Sequence, residues 1–254
     1  MTNDPRFLIR CGSITALLVA WELAARLNLA TSFHLPALSR VLQRLWTNAL
    51  TGDLEIALLE TLGRTLCGFG LAAGLGVVVG ILMVRIRFAG WWFEPLVSLG
   101  LPLPKIAFLP LFVLWFGVYE ESKILMIAFS AVFPVIVGAS AGAENVERHL
   151  VWSARSLGVA PGKILWDVVL PAALPQIFTG LQIALPTALI VSVVCEMALG
   201  GLGLGATVVG SMRMMDSVGS FAGLIAIAVL GSAMIKLMEQ MRRRLLVWHP
   251  ESHR

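Results

Sequence analysis

Ionisable side chains within apolar stretches are the first candidates for chemistry in this sequence. Lys105 lies among Pro102, Pro104 and Pro110, which are expected to interrupt the helix of an otherwise apolar stretch. Glu196 closes another apolar stretch. If these stretches cross a membrane, a charge at mid-bilayer costs about 2.5–3.5 kcal/mol on insertion scales, so such side chains usually face protein or water. Lys105 then either snorkels or pairs with a carboxylate, or it attracts an anion. Glu196 either lines or gates the outer part of a pathway, or it meets the outer membrane interface.

The glycine-rich segments lack the spacing of nucleotide-binding loops. Between Gly158 and Gly162 lie three residues where a phosphate-binding loop needs four, and Ile164 stands where a hydroxyl would hold magnesium. In the segment 201–205, the third glycine comes too early for a dinucleotide fingerprint. The histidines and cysteines are scattered without metal-ligand or redox spacing. The sequence therefore predicts no catalytic residue, no bound cofactor and no metal site.

The composition is that of a membrane protein. Of the 254 residues, 58% are hydrophobic and 13% are charged, whereas an ordinary soluble domain has about 25% charged residues. The formal net charge of +4 is explained by arginines in membrane loops. Binding of nucleic acid would need a clustered basic face with stacking aromatic residues. The sequence shows no such face, so nucleic acid is excluded as a partner and membrane lipid is expected as the surroundings.

About six apolar stretches approach the length of about 20 residues that a membrane-spanning helix needs. Backbone polar groups in lipid must be satisfied internally, so each stretch is predicted to be helical. The sequence thus predicts an all-α membrane protein with a single membrane domain over 1–254. Glycines four residues apart, in the pairs 70/74 and 76/80, predict close packing of the second helix. The predicted spans are 9–29, 64–86, 95–118, 123–143, 172–198 and 218–239.

The first stretch allows two interpretations. Basic residues precede it and small residues follow it, as in a cleavable signal peptide. The rest of the chain is itself membrane-bound and needs no removable leader, so an uncleaved first helix is the better interpretation.

The distribution of lysine and arginine predicts the orientation of the chain. With about six spans and the N-terminus in the cytoplasm, most of these residues fall on the cytoplasmic side, in agreement with the positive-inside rule. Both termini are therefore predicted to be cytoplasmic. The outer side receives Arg40, Arg44, Arg64, Lys123 and Arg213, and the cytoplasmic side receives Arg6, Arg10, Arg85, Arg87, Arg148, Arg155, Lys163, Arg242, Arg243, Arg244 and Arg254.

The loop 144–171 is the longest cytoplasmic connection, and it has a helical pattern of its own. Its apolar residues recur at four, four and three residues, which predicts one apolar helix face formed by Val146, Leu150, Ala154 and Leu157. Gly158 then supplies a break, and Pro161 is placed to begin a second short helix. Pro171 is expected to end that helix and open the fifth span. The pattern fits equally a pair of helices lying on the bilayer and a pair that docks onto a partner.

This loop resembles the signature of ABC importer permeases. That signature reads Glu-Ala-Ala, three residues, Gly, nine residues, Ile, one residue and Leu-Pro. Trp152 and Ser153 replace the glutamate and the first alanine. In the family this loop contacts the ATPase subunit, and the missing glutamate puts a salt bridge at that contact in doubt. The helix–turn–helix itself does not depend on the glutamate. The positions in register are Ala154, Gly158, Leu170 and Pro171, with Val168 in place of the isoleucine.

Three further segments resemble the nitrate, sulfonate and taurine branch of the same family. The segment 101–117, which reads LPLPKIAFLPLFVLWFG, is similar to the region of that branch's third span. The segment 35–70 is similar to the stretch before its second span, and 172–203 resembles its fifth span, with Glu196 followed by a glycine-rich outer turn. Together with the loop, these segments cover most of the chain.

The resemblance implies a type I ABC importer permease fold with cytoplasmic coupling helices, in the bacterial cytoplasmic membrane. Two copies would form a homodimer around a central pathway. A cytoplasmic ABC ATPase dimer would bind and hydrolyse ATP, and a periplasmic or lipid-anchored binding protein would deliver the solute. The permease itself would not be an enzyme. The cargo implied is a small anion such as a sulfonate, taurine or nitrate, while bicarbonate and heterocyclic vitamin precursors stay open.

The resemblance also assigns the residues that would couple this chain to the ATPase and those that would line the pathway. In the family, the loop 144–171, called the coupling loop below, docks into a groove of the ATPase subunit. Lys105 and Glu196 are the candidates for the translocation pathway. The coupling residues are Trp152, Ser153, Ala154, Arg155, Leu157, Gly158, Val168, Leu170 and Pro171.

Two other classes of protein fit the sequence less well. An ion-driven secondary transporter would need paired charges or broken helices at matching positions of two halves, and Lys105 has no evident counterpart. An intramembrane enzyme would need a catalytic cluster at depth. The predicted spans contain neither a Ser/His constellation nor a pair of aspartates.

Overall fold

A computed structural model of the protein describes residues 5–247, with side chains from 12 to 247. Every regular element in this part of the chain is helical, which confirms the all-α prediction. Arg6, Arg10 and Arg254, on which part of the predicted orientation depends, have side chains outside the described residues. The elements are α1 (Pro5–Arg26), α2 (Leu38–Thr51), α3 (Asp53–Arg85), α4 (Arg87–Gly100), a 3₁₀ turn (Lys105–Phe108), α5 (Leu109–Phe116), α6 (Glu120–Glu144), α7 (Arg148–Ser156), α8 (Pro161–Ile164), a π-helical turn (Leu165–Val169), α9 (Leu170–Leu199), α10 (Leu204–Arg213) and α11 (Ser217–Leu245).

The described residues do not confirm the exact number of about six membrane-spanning helices. Within the described residues, four helices are long and apolar enough to cross a membrane, and a bent pair could supply a fifth. The predicted first span, 9–29, overlaps α1 but begins among residues whose side chains lie outside the described part. The four helices are α3, α6, α11 and one continuous helix from Pro161 to Leu199.

The predicted third span, 95–118, is interrupted at its prolines, as expected from their clustering around Lys105. α4 ends at Gly100, and the helical segment from Lys105 to Phe116 is bent by 100° relative to α4. Pro102 and Pro104 cause the break, because each lacks a backbone N–H and each disfavours helical geometry at the residue before it. Lys105 therefore begins a new helical segment.

The fifth span does not open at Pro171, contrary to the prediction. The helix is continuous over 39 residues from Pro161 to Leu199. Proline inside an α-helix normally clashes with the carbonyl four residues earlier. Here a π-helical turn precedes it, in which the Leu170 amide donates to the Leu165 carbonyl. This wider turn accommodates the ring without ending the helix. The second half of the coupling loop is thus part of the same helix as the fifth span.

The chain divides into two compact units, one formed by 1–60 with 196–229 and the other by 61–195 with 230–254. The single membrane domain over 1–254 stays a prediction.

In the first unit, polar contacts hold α2 to its neighbours. Arg44 pairs with Asp216, just before α11. The Glu22 carboxylate accepts hydrogen bonds from the Ser39 amide at 3.1 Å and from the Ser39 hydroxyl at 2.9 Å. Glu22 thereby satisfies an otherwise unpaired amide in the first turn of α2.

In the second unit, α6 packs closely against α3 and α9 through glycines. A Cβ added at Gly76 or Gly80 of α3 would lie within 2.7 Å of atoms of α6. A Cβ added at Gly138 of α6 would lie 2.8 Å from the Gln176 carbonyl oxygen and the Gly180 Cα, both of α9. The predicted packing role is therefore confirmed for glycines 76 and 80. For glycines 70 and 74 it stays a prediction, because nothing in the described part of this chain lies within 4 Å of a Cβ added there.

We expect Gly138→Ala to destabilise the protein, because the new methyl group would overlap backbone atoms of α9. Overpacking of this kind costs about 1–3 kcal/mol. Thermal unfolding of the purified chain in detergent measures the effect. Gly74→Ala is the matched control, since it adds the same methyl group to α3 where space is open, and it should leave the midpoint unchanged or raise it slightly. Equal midpoints for the two variants would contradict the packing described.

Candidate functional site

A glycine turn joins the two helical parts of the coupling loop. α7 ends at Ser156, and Gly158 has a φ of +77°, in the left-handed region that favours glycine. The Gly158 amide donates to the Arg155 carbonyl at 2.9 Å, and the Val159 amide donates to the Ala154 carbonyl at 3.1 Å. These two bonds form a Schellman motif, which satisfies the last carbonyls of α7. The predicted break at Gly158 and the predicted start of a helix at Pro161 are both confirmed.

A small apolar core holds the packed face of the loop. Ala154, Ile164 and Val169 are buried in one cluster with Ala143 at the end of α6. The predicted apolar face is only partly correct, because Leu150 is 40% exposed and Leu157 is 82% exposed. α7 stops before residue 157, so this side chain no longer follows the helical stripe. The core fixes the loop against α6 and places α7 at a defined position.

The surface of the loop that faces away from this core carries large apolar side chains that nothing in the described chain covers. Trp152 is 62% exposed, Trp166 is 67% exposed, and Leu150 is also exposed. Ser153 and Arg155 are exposed beside them. Large exposed apolar side chains on a structured loop are typical of an interaction surface. The remaining predicted coupling residues, Val168, Leu170 and Pro171, are half-buried in the helix that follows.

Lys105 lies at the bend of the third span. Its Nζ donates to the Leu101 carbonyl at 2.8 Å and lies 5.5 Å from the centroid of the Phe133 ring. Neither partner is a carboxylate, so its positive charge is held by a carbonyl and an aromatic face. A pathway role for Lys105 stays a prediction.

Glu196 is fully buried at the turn between α9 and α10. Its Oε2 accepts a hydrogen bond from the Gly205 amide at 2.9 Å, in the first turn of α10. A carboxylate at a helix N-terminus is stabilised by unpaired amides and by the helix dipole. At Gly203, where φ is +136°, any side chain would collide with this carboxylate. The contacts give Glu196 a structural role, and its assignment to a pathway stays a prediction.

The sequence interpretation missed an ionic cluster between α3 and α6, in which two buried cations bind a half-exposed carboxylate. Arg64 is 5% exposed and Lys123 is 3% exposed. The Glu120 carboxylate pairs with Arg64 and lies 3.2 Å from the Lys123 Nζ. The sequence interpretation counted both cations as outer-side charges. The i, i+3 spacing of Glu120 and Lys123 was a usable signal, but Arg64 belongs to another helix and could not be paired from sequence.

Comparison with known proteins gives the same fold and family as the sequence resemblance. Residues 72–247 match the family model described as binding-protein-dependent transport system inner membrane component. The taurine transport system permease protein TauC of Escherichia coli (strain K12) is 34% identical over 245 residues, covering 94% of this chain and 89% of that protein. The putative aliphatic sulfonates transport permease protein SsuC of Bacillus subtilis (strain 168) is 32% identical, covering 92% of this chain and 86% of that protein. A solved chain of an amino acid ABC transporter with histidines has a TM-score of 0.62 at 19% identity, over 79% of this chain and 97% of that one.

We expect Glu120→Gln to destabilise the pairing of α3 with α6, because it removes the charge of a carboxylate that binds both Arg64 and Lys123. Hydrogen bonds to charged groups contribute about 1.5–3 kcal/mol. Thermal unfolding in detergent measures this loss. Glu121→Gln removes the same charge from the next, exposed position and should cost much less. A loss as large in the control as in Glu120→Gln would show that the cluster does not hold the helices.

Proposed function

Because the chain belongs to the family of binding-protein-dependent transport system inner membrane components, we propose that two copies of it form the pathway of an ATP-driven importer. The chain is a multi-span helical permease of the inner membrane. Its partners in this proposal are a cytoplasmic ATPase dimer, a periplasmic or lipid-anchored binding protein and a second copy of itself. Both termini and the coupling loop lie in the cytoplasm.

The observation that carries the proposal is the construction of the coupling loop. α7 presents Trp152 outward, Gly158 sets a fixed turn, and the helix after the turn continues from Pro161 to Leu199. A helix of that length spans about 58 Å, which exceeds the bilayer core of about 30 Å. A displacement of α7 by the ATPase is therefore passed to the fifth span along a continuous helix.

The chain does no covalent chemistry in this mechanism. ATP is bound and hydrolysed by the partner ATPase, whose closure and opening move α7. The helices of the permease have two arrangements in this mechanism, and movement of α7 favours one of them. Solute delivered at the opposite end of the spans shifts the equilibrium between the same two arrangements. Coupling then follows from linkage, because ATP and solute each favour one state of a shared two-state element.

The cargo proposed is a small anion such as taurine, another sulfonate or nitrate. The names of the similar permeases support this choice, and Lys105 adds a cation at a broken helix, a feature that often lines a cavity. Bicarbonate and heterocyclic vitamin precursors are the alternatives. A substrate panel in the uptake assay distinguishes them.

We expect Gly158→Ala to weaken binding of the ATPase and ATP-dependent uptake. A residue with a Cβ pays about 1–2 kcal/mol in the left-handed conformation, which corresponds to a loss of about 5- to 30-fold in the population of the turn. Co-purification of the chain with its ATPase, followed by uptake in proteoliposomes, measures both effects.

Gly162→Ala is the matched control for this variant. It adds the same methyl group to the same loop, at a helical glycine without positive φ and with nothing within 4 Å. It should bind the ATPase and take up solute like the parent. Parental uptake by Gly158→Ala would refute the assignment of the coupling loop.

We expect Lys105→Glu to reduce uptake of an anionic cargo by about tenfold or more, the equivalent of about 1.4 kcal/mol. The reversed charge repels the anion. The Lys105 side chain contacts the Leu101 carbonyl and the Phe133 ring of its own chain, so the complex should still assemble. Lys105→Arg keeps the charge and should retain most of the uptake. Unchanged uptake by Lys105→Glu, with the complex assembled, would remove Lys105 from the pathway.

A further inference from the structure

Three arginines converge on one open cleft where α3, α6 and α7 meet. Arg85 is the last residue of α3, Arg148 is the first residue of α7, and Arg155 lies in its last turn. The cleft, called the arginine cleft below, has a volume of about 210 Å³. Its remaining lining is apolar apart from the Trp152 indole N–H, and it includes Val84, Ala143, Val146, Val151 and Val169. The cleft is therefore amphipathic, because it is lined by three basic residues and by five aliphatic residues, which are called the apolar floor below.

The positive charge of the arginine cleft is uncompensated within the described residues. No carboxylate lines the cleft, and none of its three guanidinium groups makes an ion pair or a hydrogen bond among the residues described. Of the nearby acidic residues, Glu147 lies 3.0 Å from the His149 Nε2 and outside the cleft lining, and Glu144 lines a different cleft. Like charges gathered around one cavity repel one another, and a bound anion relieves that repulsion.

The arginine cleft also lies at the level expected for lipid headgroups. In α3, residues 65–84 carry no charge, and such a run of about 20 residues spans the hydrocarbon core of about 30 Å. In α6, residues 124–143 form a second such run. Arg85 and the end of α6 therefore meet the boundary at which phosphates lie. Trp152, exposed at the rim, is a residue type typical of this interface.

We propose that the arginine cleft binds the phosphate of an anionic phospholipid, from the leaflet at the α7 end of the helices. Guanidinium groups present planar pairs of donors that match phosphate oxygens, and basic pockets beside membrane helices are suited to such headgroups. The glycerol end of the lipid lies against the apolar floor. The bound lipid bridges α3 to α7 and so stabilises one position of the coupling loop. An acidic protein segment would not use the apolar floor at the bilayer boundary, so lipid fits better.

Native mass spectrometry of the full chain, titrated with phosphatidylglycerol or phosphatidylcholine, tests this site without the ATPase. The parent should retain phosphatidylglycerol in preference to phosphatidylcholine. Arg85→Ala and Arg148→Ala should each weaken phosphatidylglycerol binding by about tenfold, as expected for the loss of one charged hydrogen bond. Arg87→Ala is the matched control. It removes the same charge two residues from Arg85, but Arg87 lies over the Trp91 ring and outside the cleft, so binding should change by less than about twofold.

Further arms of the experiment separate this site from the alternatives. Inorganic phosphate alone, at the concentration of the lipid, should not displace phosphatidylglycerol, and displacement would identify a site for a free anion instead. Equal losses in Arg87→Ala and Arg85→Ala would show general surface attraction and overturn the proposal. Unchanged lipid binding in both cleft variants would overturn it too, and if those variants also lost the ATPase, the cleft would belong to a protein contact. Failure of ATPase binding in the parent would contradict the importer assignment and leave the lipid result standing.

Discussion

The close approach of α6 to α3 and α9 is the constraint on which the second unit depends. Helices in lipid gain little from the hydrophobic effect, so they associate through close packing of small residues. Gly138 brings α6 against the backbone of α9 near Gly180, and Gly80 does the same between α3 and α6. The apolar core around Ala143 and Ala154 continues this contact beyond the helix ends. The coupling loop consequently leaves from α6 and returns into α9 with both of its ends held by the same packed helices.

In the proposed mechanism, a loop held in this way transmits movement, because the turns within it have fixed conformations. The Schellman motif at Gly158 sets the angle between α7 and α8. The π-helical turn before Pro171 keeps the rest of the helix continuous, so a proline that would usually act as a hinge does not become one. The bend after Gly100 is the opposite case, since prolines there end the helix and place Lys105 at an interruption. The stiff coupling loop and the irregular third span are both consistent with the proposed pathway, in which the ATPase acts at one end of the helices.

Local features of the sequence were enough to predict the helices, the break at Gly158 and the start at Pro161, because each depends on residues close in the chain. Features that depend on a distant partner were not predictable. Arg64 and Lys123 were counted as outer-side charges, yet both side chains are buried and both bind Glu120, which lies far from Arg64 in the sequence. The Glu196 carboxylate accepts its hydrogen bond from the Gly205 amide, which belongs to a helix that begins after a glycine turn. The helix continues through Pro171 because the Leu170 amide bonds to the Leu165 carbonyl, five residues earlier. No pattern of residue types in the sequence predicts this change of hydrogen-bond partner.

The central claim is that ATP hydrolysis on a partner drives solute through this chain. It is tested most directly by uptake of a labelled sulfonate into proteoliposomes that contain the chain, its candidate ATPase and the binding protein. The account predicts uptake that requires ATP on the side of the coupling loop and stops when hydrolysis is blocked. Uptake by the chain alone, without ATP and in response to an ion gradient, would contradict the account and identify an ion-driven transporter.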